Sequence, residues 1–500
     1  MEARKVILDL ILSNHQRDCL TCTRNGNCEL QTLAMKFNVM NVEYEGEKSV
    51  HKIDDLSPSI VRDFNKCILC RRCISTCKKV QEIGAIDCIN RGFNSCVSTV
   101  GNRSLNDVNC TFCGQCIEAC PVGALREKDS TDLVWEKLKD EDTIVIAQTA
   151  PAVRVALGEE FGMKIGTNVK GKMITALQKI GFDKVFDTNT GADVTIVEEA
   201  NEFVERMQKG ETLPMITSCS PGWVRFIEMN YPELLEHLSS CKSPHEMFGA
   251  LIKTYYAEKE KIDSKKIFVV SVMPCVAKKF ERAREEMKNN ELDNVDAVIT
   301  TRELARMIKQ ANIDFANLED SEFDSPMGDA TGAAAIFGTT GGVMEAALRT
   351  AYETITGEEL KNLDFEAVRG EKGIKKATVS IAGKDIKVVV ANGLSNARKI
   401  LDEIKAGKAD YQFVEIMACP GGCIMGGGQP IVDSKKRLDY DVRKLRAEAL
   451  YNIDKESKIR KSHENPVVLK MYKDYLGDVG GHRAHELLHT HYTKREKYKL

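Results

Sequence analysis

Two runs of cysteines in the first quarter of the chain have a spacing that binds iron–sulfur clusters. Each run reads C-x2-C-x2-C-x3-C, and Pro121 follows the second run. In this pattern the first three thiolates ligate one [4Fe–4S] cluster, and the fourth ligates the cluster of the other run. Zinc is the alternative for a single C-x2-C pair, but two matching runs favour iron and sulfur. The predicted ligand sets are Cys67, Cys70, Cys73 and Cys120 for one cluster, and Cys110, Cys113, Cys116 and Cys77 for the other.

A further group near the N-terminus combines one histidine with three cysteines. His15, Cys19, Cys22 and Cys28 read H-x3-C-x2-C-x5-C, so four metal ligands lie within fourteen residues. The spacing alone allows a tetrahedral zinc site or a third [4Fe–4S] cluster. The neighbouring cysteine runs favour the cluster. A neutral histidine in place of a thiolate should raise the reduction potential of that cluster.

Three more cysteine-bearing segments each follow an apolar run in the second part of the chain. Cys219 lies in the segment 217–223, Cys275 follows Met273 and Pro274, and Cys419 and Cys423 lie before a run of three glycines. Ligands of open α/β sheets bind beyond the carboxyl ends of the strands, so these cysteines can converge on one buried site. The glycines allow the backbone to approach a bulky ligand closely.

The sequence pattern from which we predict the positioning elements changes near residue 129. Before it the sequence is rich in cysteine and has few long periodic segments. After it, apolar runs alternate with amphipathic helical stretches, which predicts an α/β fold with a parallel sheet. The predicted strands lie at 143–150, 214–219, 266–275, 296–301, 387–392 and 413–419.

Composition narrows the class of protein. The chain has 500 residues with 43% hydrophobic and 29% charged residues, as is typical of a folded globular protein. The formal charge of −3 gives no reason to expect a nucleic-acid partner. No apolar run reaches the ~20 residues that span a bilayer, and no leader pattern is visible. We therefore expect a cytoplasmic protein without a membrane partner, whose cysteines serve metals and not disulfides.

The three later segments resemble the signature motifs of the [FeFe]-hydrogenases, TSCCPxW, MPCxxKxxE and ExMACxxGCxxGGGxP, and the N-terminal cysteine modules resemble the accessory domains of that family. The resemblance covers essentially the whole chain. It implies reversible formation of dihydrogen from protons and electrons at an H-cluster, a [4Fe–4S] cube joined to a two-iron unit that carries CO, cyanide and azadithiolate ligands. It also implies three accessory [4Fe–4S] clusters, ferredoxin or flavodoxin as electron partner, maturation proteins, and a monomer.

The same resemblance implies a domain order and a fold. We expect a His/Cys3 [4Fe–4S] module over 1–50, a ferredoxin-like domain with two clusters over 51–128, and a two-lobed α/β H-cluster domain over 129–500, α+β overall. The C-x4-C-x2-C run of a plant-type [2Fe–2S] domain is not found in the sequence, and neither is a Rossmann or flavin motif.

Site residues follow by matching motif positions. The resemblance assigns Cys275, Cys419 and Cys423 as ligands of the cube, with Cys423 bridging to the two-iron unit. Cys219 matches the cysteine that passes protons to the amine, and Lys278 matches the lysine that hydrogen-bonds a cyanide. Five further positions match residues that surround the cofactor: Met273, Met417, Phe337, Ser218 and Pro151. The first three of these would equally suit ordinary core packing.

One position departs from the family pattern. The first motif reads Cys219-Ser220 where the family has two cysteines, so Ser220 stands in the place of the fourth cube ligand. A hydroxyl is a harder and less acidic donor than a thiol. Serine could ligate as an alkoxide, Cys219 could shift to ligate, or one corner of the cube could be labile. We predict a ligand at Ser220 with Cys219 kept for protons.

A proton route is expected along a helix at 191–209. Glu199, Glu202 and Arg206 share one face of that helix. Spacing alone predicts a solvated charged face, whereas the resemblance implies a relay from Cys219 through a water to Glu199, Ser239 and Glu202, with Arg206 near the exit. Burial should raise the pKa of these carboxyls.

The remaining cysteines and histidines have no assigned chemistry. Cys88, Cys96 and Cys241 are expected to be buried apolar residues. The histidines near the C-terminus are expected on a surface helix: His482, His485, His489 and His491. A redox or dihydrogen sensor, or an electron-transfer protein, on the same scaffold is the alternative function, and Ser220 is its only support.

Overall fold

The computed structural model describes residues 2–289, 291–328 and 330–499, which form two compact units. The first unit contains residues 2–128, 431–440 and 496–499. The second contains the described residues of 129–430 and 441–495. Over the part of the chain described, no helix combines the length and the apolar character needed to cross a membrane.

The first unit is built around the two cysteine runs and has little regular structure. Its four strands are β1 (Ile60–Arg62), β2 (Asp87–Ile89), β3 (Cys96–Ser98) and β4 (Leu125–Glu127). β1 pairs antiparallel with β4, and β2 pairs antiparallel with β3. In the sequence, the first cysteine run therefore lies between β1 and β2, and the second lies between β3 and β4. The helices are Glu2–Asn14, Glu29–Lys36, Arg72–Ser75, Gln115–Ala119 and Ser434–Asp439.

The second unit contains two four-stranded sheets. Its strands are β5 (Ile144–Thr149), β6 (Lys184–Asp187), β7 (Met215–Ile216), β8 (Ile267–Met273), β9 (Ala297–Thr300), β10 (Ile374–Ile381), β11 (Lys384–Asn392) and β12 (Phe413–Met417). One sheet has the order β6-β5-β8-β9 and is parallel throughout. The other has the order β10-β11-β12-β7 and is parallel except for the edge strand β10.

Helices cover these sheets and produce two hydrophobic cores, one at each sheet. The strand β8, with sequence IFVVSVM, is buried at nearly every position because a parallel strand is covered on both faces. The helices of eight or more residues are Lys170–Ile180, Thr188–Lys209, Pro221–Asn230, Pro244–Leu251, Thr301–Gln310, Gly342–Thr356, Leu394–Lys405 and Val442–Glu456. The shorter ones are Thr131–Lys137, Ala257–Glu260, Lys278–Glu281, Gly332–Ala335, Pro466–Met471 and His482–Leu488.

The helix Thr188–Lys209, called the glutamate helix below, starts three residues before the predicted segment 191–209. The Asp187 carboxylate caps it by accepting a hydrogen bond of 3.0 Å from the Asn189 N–H. The same carboxylate binds the Arg154 guanidinium through two bonds of 2.6 and 3.0 Å. Gly210 ends the helix with φ +69°. The start of the glutamate helix is thus fixed inside the core, where most of its first seventeen residues are buried.

Candidate active site

The two cysteine runs of the first unit share one backbone conformation. Leu69 and Phe112, each two residues after the first cysteine of its run, have φ of +53° and +57°. Their N–H groups each donate to the thiol of that cysteine at 3.4 Å. Arg71 and Gly114, two residues later, also have positive φ. Both runs therefore wrap around a point in the same way, as ligation of one corner of a cube requires.

The fourth cysteine of each run lies near the first three cysteines of the other run. Burial raises the pKa of Cys73 to about 12, and negative charge at Cys120, Cys67 and Cys70 contributes in the same direction. Burial also raises the pKa of Cys116, with contributions from Cys113, Cys110, Cys73 and Cys77. Thiols this close and this buried disfavour ionisation, and a metal cluster offsets that cost because it binds thiolates. The thiols that act on Cys73 include Cys120, and those that act on Cys116 include Cys77, which are the two fourth ligands that the spacing predicts.

The N-terminal group is less enclosed. The Nδ1 atom of His15 is buried and has no hydrogen-bond partner among the described residues, which suits a metal ligand. A Cβ atom at Gly123 would lie 2.5 Å from the Cys22 thiol, so glycine leaves the space that this sulfur occupies. Burial raises the pKa of Cys28, and a negative charge at Cys22 acts in the same direction. Cys19 is exposed on the turn Cys19–Thr21.

The cysteine loops of the second unit come from both sheets. Cys219 follows β7 and Cys419 follows β12 in one sheet, whereas Cys275 follows β8 in the other. Close backbone contact joins the loops. The Gly428 N–H donates to the Pro274 carbonyl at 2.8 Å, and a Cβ at Gly426 would lie 2.2 Å from that same oxygen. These glycines therefore allow one cysteine loop to approach another, and not only a ligand as predicted.

The thiols and the hydroxyl at this junction match the predicted cube ligands in chemistry. Burial raises the pKa of Cys423 to about 12, and a charge at Cys275 raises it further while Lys278 opposes this. Cys419 is buried, and the Ser220 hydroxyl accepts a hydrogen bond of 3.2 Å from the Ala418 N–H beside it. Ser220 precedes the helix Pro221–Asn230 but makes no capping bond to it. Its hydroxyl therefore points to the neighbouring cysteine loop and not along its own helix.

Lys278 is held at this junction by its own buried network. Its Nζ donates to the Cys219 carbonyl at 3.2 Å and to Glu281 Oε2 at 2.7 Å. Glu281 also pairs with His245 Nε2 at 2.8 Å, and His245 Nδ1 lies 3.1 Å from the Ser271 hydroxyl. Burial lowers the pKa of Lys278, but the charge and hydrogen bond of Glu281 reverse this and raise it overall. The lysine thus stays cationic inside the core.

Glu199 lies between Cys219 and the outer part of the predicted route. It is 1% exposed, and neither carboxylate oxygen has a hydrogen-bond partner among the described residues. Burial raises its pKa to about 8, and the charge of Glu202 adds to this effect, whereas the nearby Ser239 hydroxyl opposes it. Burial likewise raises the pKa of Cys219, with Glu199 the largest charged contributor. Both groups therefore hold their protons at neutral pH.

The outer part of the route is continuous. Ser239 Oγ donates to Glu202 Oε2 at 3.0 Å, and the Arg206 guanidinium donates to Glu202 Oε1 at 2.7 Å. Ser240 adds its N–H and its hydroxyl to the same carboxylate. Glu202 and Arg206 are partly exposed, with side chains 15% and 12% accessible. Spacing alone predicted a solvated face here, whereas the structure shows a buried inner carboxyl and a partly exposed outer one.

Apolar residues surround the cysteines. Phe337 and Met417 belong to the core of the second sheet, against which Cys219 and Cys423 also pack. Met273 belongs to the other core at the end of β8, and Pro151 is buried just after β5. The Ser218 hydroxyl donates to the Cys241 carbonyl at 2.7 Å and so fixes the loop before Cys219. These residues exclude water from the junction of the two sheets.

Sequence reasoning missed two sets of residues at the site. Glu415 of β12 accepts the N–H groups of Gly341 and Met344 at 2.6 and 2.8 Å, which ties the segment after Phe337 to the cysteine loop. Its place in the third motif, four residues before Cys419, was a signal for it. His245 and Glu246, which adjoin Glu281, had no such signal because they lie outside all three motifs.

The chain is similar to known iron-only hydrogenases along its whole length. Residues 143–427 match the model of the iron only hydrogenase large subunit, C-terminal domain, and residues 440–495 match that of the iron hydrogenase small subunit. Residues 4–43 match the NADH-ubiquinone oxidoreductase-G iron-sulfur binding region, and residues 57–126 match the ferredoxin-like domain of NADH-quinone oxidoreductase subunit 3.

Individual relatives agree with these matches. The chain is 51% identical to the NADP-reducing hydrogenase subunit HndD of Solidesulfovibrio fructosivorans, over 99% of this chain and 85% of that protein. It is 46% identical to Iron hydrogenase 1 of Clostridium pasteurianum, over 99% and 86%. A solved structure of apo [FeFe]-hydrogenase HydA1 from Chlamydomonas reinhardtii is 42% identical, with a TM-score of 0.65 over 73% of this chain and 99% of that one.

Proposed function

The chain belongs to the iron-only, or [FeFe], hydrogenase family, and we propose that it forms and oxidises dihydrogen reversibly. The α/β fold and the cofactor class predicted from the sequence, accessory [4Fe–4S] clusters and an H-cluster, are confirmed by the family matches. When bound, the H-cluster supplies an open metal site and an amine base between which dihydrogen is cleaved or formed. The protein must hold this group, exclude water from it and move protons to and from it.

We propose ligands for each cluster from the cysteines, the histidine and the serine described above. The H-cluster cube is held by Cys275, Cys419 and Cys423, with the Ser220 hydroxyl at the fourth corner. Three accessory clusters are held by the two ferredoxin-like sets and by His15, Cys19, Cys22 and Cys28, and they supply electron transfer. The Lys278 ammonium, kept charged by Glu281, is the donor for a cyanide ligand, since a buried anionic group needs a charged or hydrogen-bonding partner.

The observation that carries the proposal is the buried carboxyl of Glu199 between Cys219 and Glu202. A sensor or electron-transfer protein has no need for a fully buried carboxyl that keeps its proton at neutral pH inside a core. Such a group suits a proton relay, because a catalytic acid or base works best with a pKa near the working pH. Cys219 would pass the proton between Glu199 and the amine base of the H-cluster. Ser239 would connect Glu199 to Glu202.

The electron partner that we propose is a ferredoxin or flavodoxin, acting on the chain as a monomer in the cytoplasm. The ferredoxin-like match at 57–126 supports a small redox protein as donor. The relative from Solidesulfovibrio is named as a subunit of an NADP-reducing hydrogenase. The alternative electron partner is therefore a second subunit that reacts with a nicotinamide cofactor. Reduced ferredoxin should support hydrogen evolution by the isolated chain, whereas NADPH without another subunit should not.

The decisive experiment is hydrogen evolution from reduced viologen by protein matured with the two-iron unit. The proposed cofactor content is three accessory cubes and a six-iron H-cluster, or about 18 irons per chain. Evolution by fully loaded protein supports the proposal. Its absence at full iron content would favour a sensor, the second candidate, for which Ser220 is the single supporting observation.

A further inference from the structure

The relay described above ends on Arg206, which cannot exchange a proton. A guanidinium keeps its proton at all physiological pH values and has no acceptor lone pair. Its remaining donors are also committed, since it binds the carbonyls of Glu236 and Leu238 at 3.2 and 2.8 Å. Arg206 can hold the Glu202 carboxylate in position, but another group must exchange protons with solvent.

A second hydrogen-bonded branch leaves Glu202 in a different direction. Ser240 Oγ lies 3.2 Å from Glu202 Oε2 and 2.8 Å from His489 Nδ1. A hydroxyl can accept one proton while it donates its own, and imidazole is the side chain that titrates near neutral pH. Each step of this branch is within the distance that proton transfer requires.

The backbone fixes this geometry. The Thr490 N–H donates to the Ser240 carbonyl at 2.8 Å, and the Lys242 N–H donates to the Leu488 carbonyl at 2.8 Å. These bonds join the segment that carries Ser240 to the segment that carries His489. The imidazole is therefore held beside the hydroxyl by main-chain hydrogen bonds, and not by side-chain packing alone.

The far side of His489 faces a buried carboxylate. Its Nε2 lies 3.1 Å from Glu198 Oε2, and Glu198 also binds the Tyr472 hydroxyl and the Gly480 N–H. The ring of exposed His485 stacks on it with centroids 4.0 Å apart, so His489 lies one residue beneath the surface. The titratable and charged groups that face this region are Glu198, Glu202, Glu205, Arg206, Cys241, Lys242, Tyr472, His485 and Tyr492.

We propose that His489 is the proton-exchange residue at the outer end of the route, connected to Glu202 through Ser240. This inference rests on the proposed hydrogenase function. During hydrogen formation the imidazolium gives its Nδ1 proton to Ser240 while the Ser240 hydroxyl proton passes to Glu202. The neutral ring then turns away from Ser240, and its Nδ1 atom regains a proton from water. Hydrogen oxidation reverses each transfer. The sequence predicted only a surface helix for this histidine.

The test compares His489→Asn with unmodified protein, both loaded with clusters. Asparagine can replace the hydrogen bond to Ser240 but does not titrate. We expect hydrogen evolution to fall about tenfold or more, in the range of a lost acid–base group. We also expect added imidazole to restore part of the rate. His482→Asn, at an exposed position on the helix His482–Leu488 that ends just before His489, is the matched control and should behave as unmodified protein.

A second measurement needs no activity. In the full chain labelled with 15N-histidine, Ser240→Ala should change the 15N chemical shift of His489 Nδ1, because it removes the hydroxyl that bonds this nitrogen. An active unmodified protein whose His489→Asn form keeps the same rate and pH profile would overturn the inference while leaving the proposed function intact. Inactivity of the unmodified, fully loaded protein would instead overturn the function. An unchanged His489 Nδ1 chemical shift in Ser240→Ala would also refute the connection.

Discussion

Lys278 Nζ lies 2.7 Å from Glu281 Oε2 in a region where both residues are buried, at 8% and 3% exposure. The pair is the inner end of a network that continues to His245 and Ser271. Because the two charges neutralise one another away from water, each depends on the other for stability as well as for function.

Replacing Lys278 by methionine should destabilise the second unit strongly. The change leaves the Glu281 carboxylate buried without its cation, and breaking a buried pair in this way costs about 3–5 kcal/mol. The measurement is the shift of the denaturant midpoint of cluster-loaded protein. Lys209→Met is the matched control, since its pair with Glu205 is exposed and contributes little to stability. Equal midpoints for the two variants would contradict this account.

Glu199→Gln should cripple turnover and leave the clusters in place. Glutamine keeps the size of the side chain but cannot carry a proton, so hydrogen evolution should fall by about 100-fold or more. Iron content and the EPR spectra of the accessory clusters should not change. Glu205→Gln, at a solvent-facing position of the glutamate helix, serves as control. A variant of Glu199 that retains near-normal rates would exclude it as an obligatory relay.

The same carboxyl should also control how stability depends on pH. Its pKa is about 8 in the folded protein and near 4.5 when unfolded, so the folded state holds the extra proton between these values. Stability from this group is full below about pH 4.5 and is lost as pH rises to about 8. At pH 9 the Glu199→Gln variant should therefore melt at a higher temperature than unmodified protein, whereas at pH 4.5 it should not.

The control for this effect is again Glu205, whose pKa is shifted the other way by its hydrogen bond to Lys209. Its stabilisation is present at neutral pH and is lost only as pH falls, so Glu205→Gln should bring no gain at pH 9. Parallel melting curves of Glu199→Gln and unmodified protein across this pH range would show that Glu199 ionises normally.

Ser220→Cys should change the EPR signal of the H-cluster cube. The Ser220 hydroxyl lies beside the Cys419 loop, so a thiol there would supply the ligand that the family motif contains. A thiolate is a softer donor than an alkoxide and should alter the signal and its potential. Ser220→Ala is the companion variant and should leave a labile corner. A signal identical in all three proteins would rule out ligation by Ser220.

Local spacing was enough to predict much of this protein. The cysteine runs imply both the ligand type and the cross-connection, because cube geometry leaves few ways to arrange eight thiols. Apolar runs predicted six of the strands in the second unit. β6 and β10 were missed, since KVFD is short and β10 alternates buried and exposed residues on a sheet edge. The division into two sheets also depends on long-range pairing that no local pattern contains.

The proton branch shows where local reasoning ends. His485 and His489 are four residues apart, which suggests a shared helix face but not a buried one. The hydrogen-bond partners of His489 are more than 200 residues away in sequence, at Glu198 and Ser240. Only the folded chain brings them together. A buried histidine becomes recognisable as functional through its hydrogen-bond partners, and these are set by tertiary structure.

The chain passes between the two units four times, at residues 128, 430, 440 and 495. The segment 431–440 binds the first unit through Arg437 and Glu118 at 2.9 Å, and Arg103 binds the Lys499 carbonyl at 2.5 Å. Contacts of the first unit are therefore contributed by residues more than 300 positions later in the chain. The packing of the N-terminal unit cannot be completed until the segment 431–440 has been synthesised.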